Sequence, residues 1–205
     1  MNLRISELFL TLQGEGARAG EPSVFVRFSG CSAKYACAAS GILCDTEFES
    51  GREVDEHQLF DAIARVDHGC RWIVWTGGEP ADQFTEDLVE MAAARGFKQQ
   101  IETSGARAVP AGLDWVTVSP KVAEHILLRN FPRRPDGFHV DELKYVRHPG
   151  QAIPEPKLTA RVRCLSPHAD GDQIPRANLD HCIALCLEHP TWRLSVQQHK
   201  VWRVR

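Results

Sequence analysis

Hydrophobic positions change period repeatedly along the chain. In LRISELFLTLQ (3–13) and SVFVRFSG (23–30), apolar, β-branched and aromatic residues alternate with polar ones, the pattern of strands. DEHQLFDAIARV (55–66) opens on Asp55 and sets Leu59, Phe60, Ile63 and Val66 on one helical face. RWIVWTGG (71–78) is a short apolar run ending in a glycine pair, as expected of a buried parallel strand. TEDLVEMAAARG (85–96) predicts a helix closed by Gly96, and KQQIETSG (98–105) the next strand and turn. DWVTVSP (114–120) and DELKYV (141–146) predict two more strands. RVRCLSPHADGD (161–172) predicts a strand and loop, NLDHCIALCLEH (178–189) a helix, and WRLSVQQHK (192–200) a last strand. RNFPRRPDGFHV (129–140) and HPGQAIPEP (148–156) are Pro-bearing loops. Alternating strands and helices imply an α/β fold with a parallel sheet and helices outside. A complete eight-stranded barrel needs about 250 residues. At 205 residues the expectation is a partial, TIM-like barrel of about six parallel strands, in a single domain over 1–205.

Composition narrows the function classes. The chain is 43% hydrophobic and 25% charged, enough to bury a core. A net charge of −3 disfavours nucleic acid or a membrane surface as partner. Arg4 and Glu7 interrupt the start where a signal peptide would be apolar. No run of about 18 apolar residues could span a bilayer. The expected location is therefore the cytoplasm, where thiols stay reduced.

That compartment makes the cysteines informative. Three of the seven, Cys31, Cys37 and Cys44, fall in SGCSAKYACAASGILCDTEF (29–48). Structural zinc and thioredoxin-like sites both favour CxxC, which is absent here. Three thiolates on an iron–sulfur cluster would leave one iron open to a reactant. Zinc with a distant histidine, and three unrelated loop residues, stay open on spacing alone. Cys70, Cys164, Cys182 and Cys186 lie beside apolar neighbours and read as core residues, as do most of the five tryptophans, with Trp202 expected nearest a pocket. Ligands of parallel α/β proteins collect at the carboxyl ends of strands. There the chain carries TLQGEG, the cysteine loop, TGGEP, ETSG, SPK and SPHADGD.

Taken together, TLQGEG, the cysteine trio, CDT, GGEP and the short tail after HK resemble the radical S-adenosylmethionine (SAM) enzymes of the 7-carboxy-7-deazaguanine synthase family, over nearly the whole chain. The resemblance implies a [4Fe-4S] cluster, SAM, Mg2+, an electron donor such as flavodoxin, and a homodimer. The implied reaction contracts the ring of 6-carboxy-5,6,7,8-tetrahydropterin to 7-carboxy-7-deazaguanine with loss of ammonia, SAM being used catalytically.

The same resemblance distributes roles. Cys31, Cys37 and Cys44 would hold the cluster. The family typically ends the loop in CxxC, whereas Gly41 stands three before Cys44, so Cys37 is assigned as the only other thiol in the loop. Leu43 would pack on adenine, and Thr46 would ligate Mg2+ through a hard oxygen. Gly77, Gly78 and Glu79 would meet the methionyl group, and Glu102 the ribose. Ser119, Pro120 and Lys121 would complete the SAM site, with Leu165, Ser166, Pro167 and His168 framing adenine. For substrate, Leu12, Gln13, Gly14 and Glu15 offer one turn whose carboxylate suits the amino–amidine edge of a pterin. Arg27 would clamp the substrate carboxylate, with Thr76, His199 and the terminal carboxylate of Arg205 nearby. Bland alternatives are a strand-face salt bridge for Arg27 and a surface histidine for His199. Two other functions compete: a radical SAM activase that installs a glycyl radical on a partner protein, and a zinc-binding module.

Overall fold

The first two strands fold back on each other. β1 (Leu3–Leu12) and β2 (Pro22–Phe28) pair antiparallel, with Leu8 opposite Val26. Residues 13–21 between them are too few for the crossover of about a dozen residues that parallel pairing requires. This computed structural model describes residues 2–39 and 48–204. After β2 comes α1 (Lys34–Ala39), a short helix inside the cysteine segment, where Lys and Ala favour helix. β3 (Arg52–Val54) adds antiparallel to β1.

The regular βα alternation then begins. α2 (Glu56–Val66) starts at a capping box: the Gln58 amide donates to the Asp55 carboxylate at 2.8 Å, and the Asp55 amide donates to the Gln58 side chain at 3.0 Å. β4 (Trp72–Gly77), α3 (Glu86–Ala94), β5 (Lys98–Thr103) and β6 (Trp115–Val118) follow. α4 (Glu124–Asn130), β7 (Val140–Arg147), β8 (Ala160–Pro167), α5 (Arg176–Glu188), β9 (Arg193–Leu194) and α6 (Gln198–Trp202) complete the described chain. The sheet order is β3-β1-β2-β4-β5-β6-β7-β8-β9, parallel from β2 to β9.

Three expectations change. The last predicted strand is only two residues long, and its QHK end is the start of α6. α4 occupies a stretch with no helical signal beyond ILL, and its last two residues take the start of the predicted 129–140 loop. Trp202, in α6, is 38% exposed and does not line the cavity described below.

Alternation across the sheet decides what faces what. Ile101, Val116, Val118 and Leu143 point to the helix side and join a core with Leu59, Ile63 and Leu88. The residues between them point the other way: Glu102 pairs in register with Thr117, and Thr117 with Glu142. Toward β1 the same inner face is apolar, where Phe9 and Phe25 stack at 5.7 Å and pack with Val74.

Candidate active site

The inner face and the carboxyl ends of the strands enclose one cavity of about 960 Å³, at the upper end of the ~300–1,000 Å³ common for ligand sites. Its floor carries a buried charge cluster. Lys144 lies two residues beyond Glu142 on β7, hence on the same face. Its Nζ donates to Glu15 Oε2 at 2.6 Å and lies 3.8 Å from Glu102 Oε2. Burial alone would lower the Lys144 pKa, but Glu15 and Glu102 outweigh it and raise it above the ordinary lysine range. Burial likewise opposes the charge on Glu15; Lys144, a hydrogen bond from Gln197 and the nearby His199 together hold its carboxyl below the usual range. Glu142 goes the other way, raised by burial despite a hydrogen bond from the Ala17 amide at 2.8 Å and the nearby Lys144.

Gln13 fastens the turn after β1 to this floor. Its side-chain amide donates to Glu102 at 2.8 Å, and its carbonyl oxygen accepts from the Glu15 amide at 3.1 Å. The segment before α6 closes over the same turn: the Gln198 amide donates to the Gly14 carbonyl, and Gln197 Nε2 donates to Glu15 Oε1 at 3.0 Å. His199 packs directly on the bare backbone at position 14, where a β-carbon would lie 2.2 Å from its Nδ1 and force the ring to move.

The opposite wall is the TGGEP turn against the cysteine segment. Glu79 is 1% exposed, and its carboxylate accepts from Thr103 Oγ1 (2.6 Å), from the amide and hydroxyl of Ser104, and from the Ala81 amide (3.1 Å). It ties TGGEP to ETSG and, unlike Gly77 and Gly78, is not among the cavity-lining residues. Pro120 and Leu165 also stay out of the cavity lining; Leu165 is fully buried with Cys182, Leu185 and Trp192.

The other predicted site residues within the described chain all line the cavity. Cys31, Cys37, Gly77 and Gly78 are on one wall, with Ser119 and Lys121 beyond β6. Ser166 and Pro167 end β8 and His168 follows it; Leu12 ends β1, and Gln13, Gly14 and Glu15 follow it. Arg27, Thr76, Glu102 and His199 complete the set. Leu43, Cys44, Thr46 and Arg205 lie outside the described residues. Arg27 makes the strand-face ion pair, its Nε 3.2 Å from Glu7 Oε2, and is also among the residues lining the cavity.

Several lining residues had no motif to announce them. Lys144 and Gln197 belong to unremarkable strings, and Phe9 and Phe25 read only as strand residues. A usable signal was present in DELKYV, where Glu142 and Lys144 alternate in a strand expected to be covered on both faces; charges there imply a polar cavity. Of the remaining cysteines, Cys164 and Cys182 are buried, and Cys70 and Cys186 half-buried.

Known proteins agree with this architecture. No family model matches the chain. Over its full length it is 40% identical to the 7-carboxy-7-deazaguanine synthase of Bradyrhizobium diazoefficiens, covering 100% of both chains. It is 38% identical to the Bordetella pertussis protein of that name, covering 98% of each. The crystal structure of QueE from Escherichia coli superposes with a TM-score of 0.67 at 25% identity, over 96% of this chain and 94% of that one. The chain belongs to the 7-carboxy-7-deazaguanine synthase family, with the open TIM-like fold of the radical SAM enzymes.

Proposed function

We propose that this chain converts 6-carboxy-5,6,7,8-tetrahydropterin to 7-carboxy-7-deazaguanine with loss of ammonia, using a [4Fe-4S] cluster and SAM. The observation that carries this reading is the convergence of TLQGEG, the cysteine segment, TGGEP, ETSG, SPK and the loop after β8 on one cavity.

The donor set fits the cluster. Cys31 and Cys37 present soft thiolates to the cavity beside Gly77 and Gly78. A β-carbon on Gly77 would lie 2.3 Å from the Phe28 backbone, so glycine lets this turn pack directly against the end of β2, next to the cysteine segment. Cys44 would supply the third thiolate, and Thr46 a hard oxygen for Mg2+. When bound, the cluster supplies the electron that opens SAM to methionine and a radical able to take hydrogen from carbon.

The chain's own residues bind, orient and exclude water. Glu102 meets the ribose of SAM, while Ser119, Lys121 and the Ser166–His168 stretch hold its remaining groups. Glu15 accepts from the N–H donors of the pterin edge, and the Arg27 guanidinium forks onto the substrate carboxylate. Phe9 and Phe25 give the flat ring an apolar wall. His199, Thr76 and the terminal carboxylate of Arg205 complete the pocket. A homodimer, a flavodoxin-type electron donor and a cytoplasmic location belong to the same proposal; no helix among the described residues is long and apolar enough to cross a membrane.

Anaerobic reconstitution followed by incubation with SAM, reductant and the carboxypterin tests it. The expected result is a brown protein with about four irons per chain that forms 7-carboxy-7-deazaguanine and ammonia. Iron loading with SAM chemistry only toward a protein partner would indicate an activase, and zinc without iron a binding module.

A further inference from the structure

The mechanism above leaves Lys144 unused, although it is the ammonium at the centre of the floor. Glu15 arrives from the turn after β1, Glu102 from β5 and Glu142 from β7, and all three carboxylates act on Lys144. Its side chain is 10% exposed, against 16% for Glu15 and 21% for Glu102. Arg18, bonded to Gln100 on the same inner face, acts on Glu102, and His199 acts on Glu15 from α6.

We infer that Lys144 is a positioning residue for substrate recognition, keeping Glu15 ionised and aimed as a two-oxygen acceptor for the pterin edge. The inference rests on the proposed role of Glu15 in binding substrate. Three features of the geometry carry it. Each Glu15 oxygen accepts one protein donor, Lys144 at 2.6 Å and Gln197 at 3.0 Å. A carboxylate has about four lone-pair sites, so each oxygen keeps one for a ligand N–H. The third feature is the close company of Glu102, which shares Lys144 with Glu15: two half-buried carboxylates side by side with no cation between them resist both staying ionised. A protonated Glu15 has lost one acceptor, and with it the match to two parallel N–H groups.

A purely structural ion pair would make a different prediction, since its loss lowers stability without changing how ligand affinity depends on pH. The discriminating measurement is therefore the affinity of the reconstituted, SAM-loaded protein for the carboxypterin, by calorimetry from about pH 8 to about pH 6. Wild type and Lys144→Arg should hold their affinity within about threefold across the range. In Lys144→Met the uncompensated Glu15 takes up a proton as pH falls, so affinity should drop by up to about tenfold per pH unit. Glu15→Gln should bind weakly throughout; because it retains His199, it also reports that residue's own contribution to the profile. Glu15→Gln binding as wild type would remove the role of Glu15 on which the inference rests. Weak binding by Glu15→Gln with a flat profile for Lys144→Met would overturn the inference itself. If Lys144→Met does not fold, Lys144→Gln is measured in its place. A wild-type affinity that falls tenfold over the range, beyond the change seen in Glu15→Gln, would also overturn it.

Discussion

A β-carbon on Gly78 would lie 1.8 Å from the carbonyl oxygen of Gly30, the residue before Cys31. The two backbones are locked together: the Glu79 amide donates to that carbonyl at 3.0 Å, and the Gly78 amide donates to Phe28 O at 3.0 Å. Asp82, just after the turn, then accepts from the amide (2.9 Å) and hydroxyl (2.8 Å) of Ser32. The TGGEP turn thus sets where the cysteine segment begins. Because the contact is with backbone, Gly78→Ala forces a shift, at about 1–3 kcal/mol. Chemical denaturation should show that loss, and iron content after reconstitution should fall with it. Unchanged stability and full iron loading would mean that the two segments move independently.

The thiols divide by environment. Burial pushes Cys164 up to about 12 and Cys182 up to about 11, so neither carries much thiolate near neutral pH. Both should resist iodoacetamide in the folded protein at about pH 8 and react once it is unfolded, as mass spectrometry of the peptides would report. Rapid labelling of either in the native state would contradict their place in the core.

Arg27 can be weighed by affinity. A guanidinium that forks onto the substrate carboxylate makes charge-assisted bonds worth about 1.5–3 kcal/mol. Arg27→Ala should therefore weaken carboxypterin binding by roughly ten- to 150-fold, and Arg27→Lys should recover only part of that. If Arg27 served only its ion pair with Glu7 on the strand face, the loss would stay under about 1 kcal/mol.

Much of this was legible in the chain because it is written locally. The Asp55 cap, the Leu59–Phe60–Ile63 stripe and the glycine-marked strand ends all lie within a few residues of what they specify. Even the antiparallel start could be read from the shortness of the 13–21 connection. What could not be read depends on distant partners. Lys144 meets Glu15 across 129 residues, and Gln197 meets it across 182. The bonds that Glu79 makes within the protein are equally illegible locally, because Thr103 and Ser104 lie 24 and 25 residues further on. α6 reads as the end of a strand because its polar residues carry no helical stripe; His199 sits there packed against Gly14.

The ratio of product formed to SAM consumed tests the central claim most directly. Reconstituted protein given excess carboxypterin, reductant and a limited amount of SAM should form many molecules of 7-carboxy-7-deazaguanine for each SAM lost, with ammonia matching product. SAM cleaved steadily to methionine and 5'-deoxyadenosine, with no 7-carboxy-7-deazaguanine formed, would contradict the account.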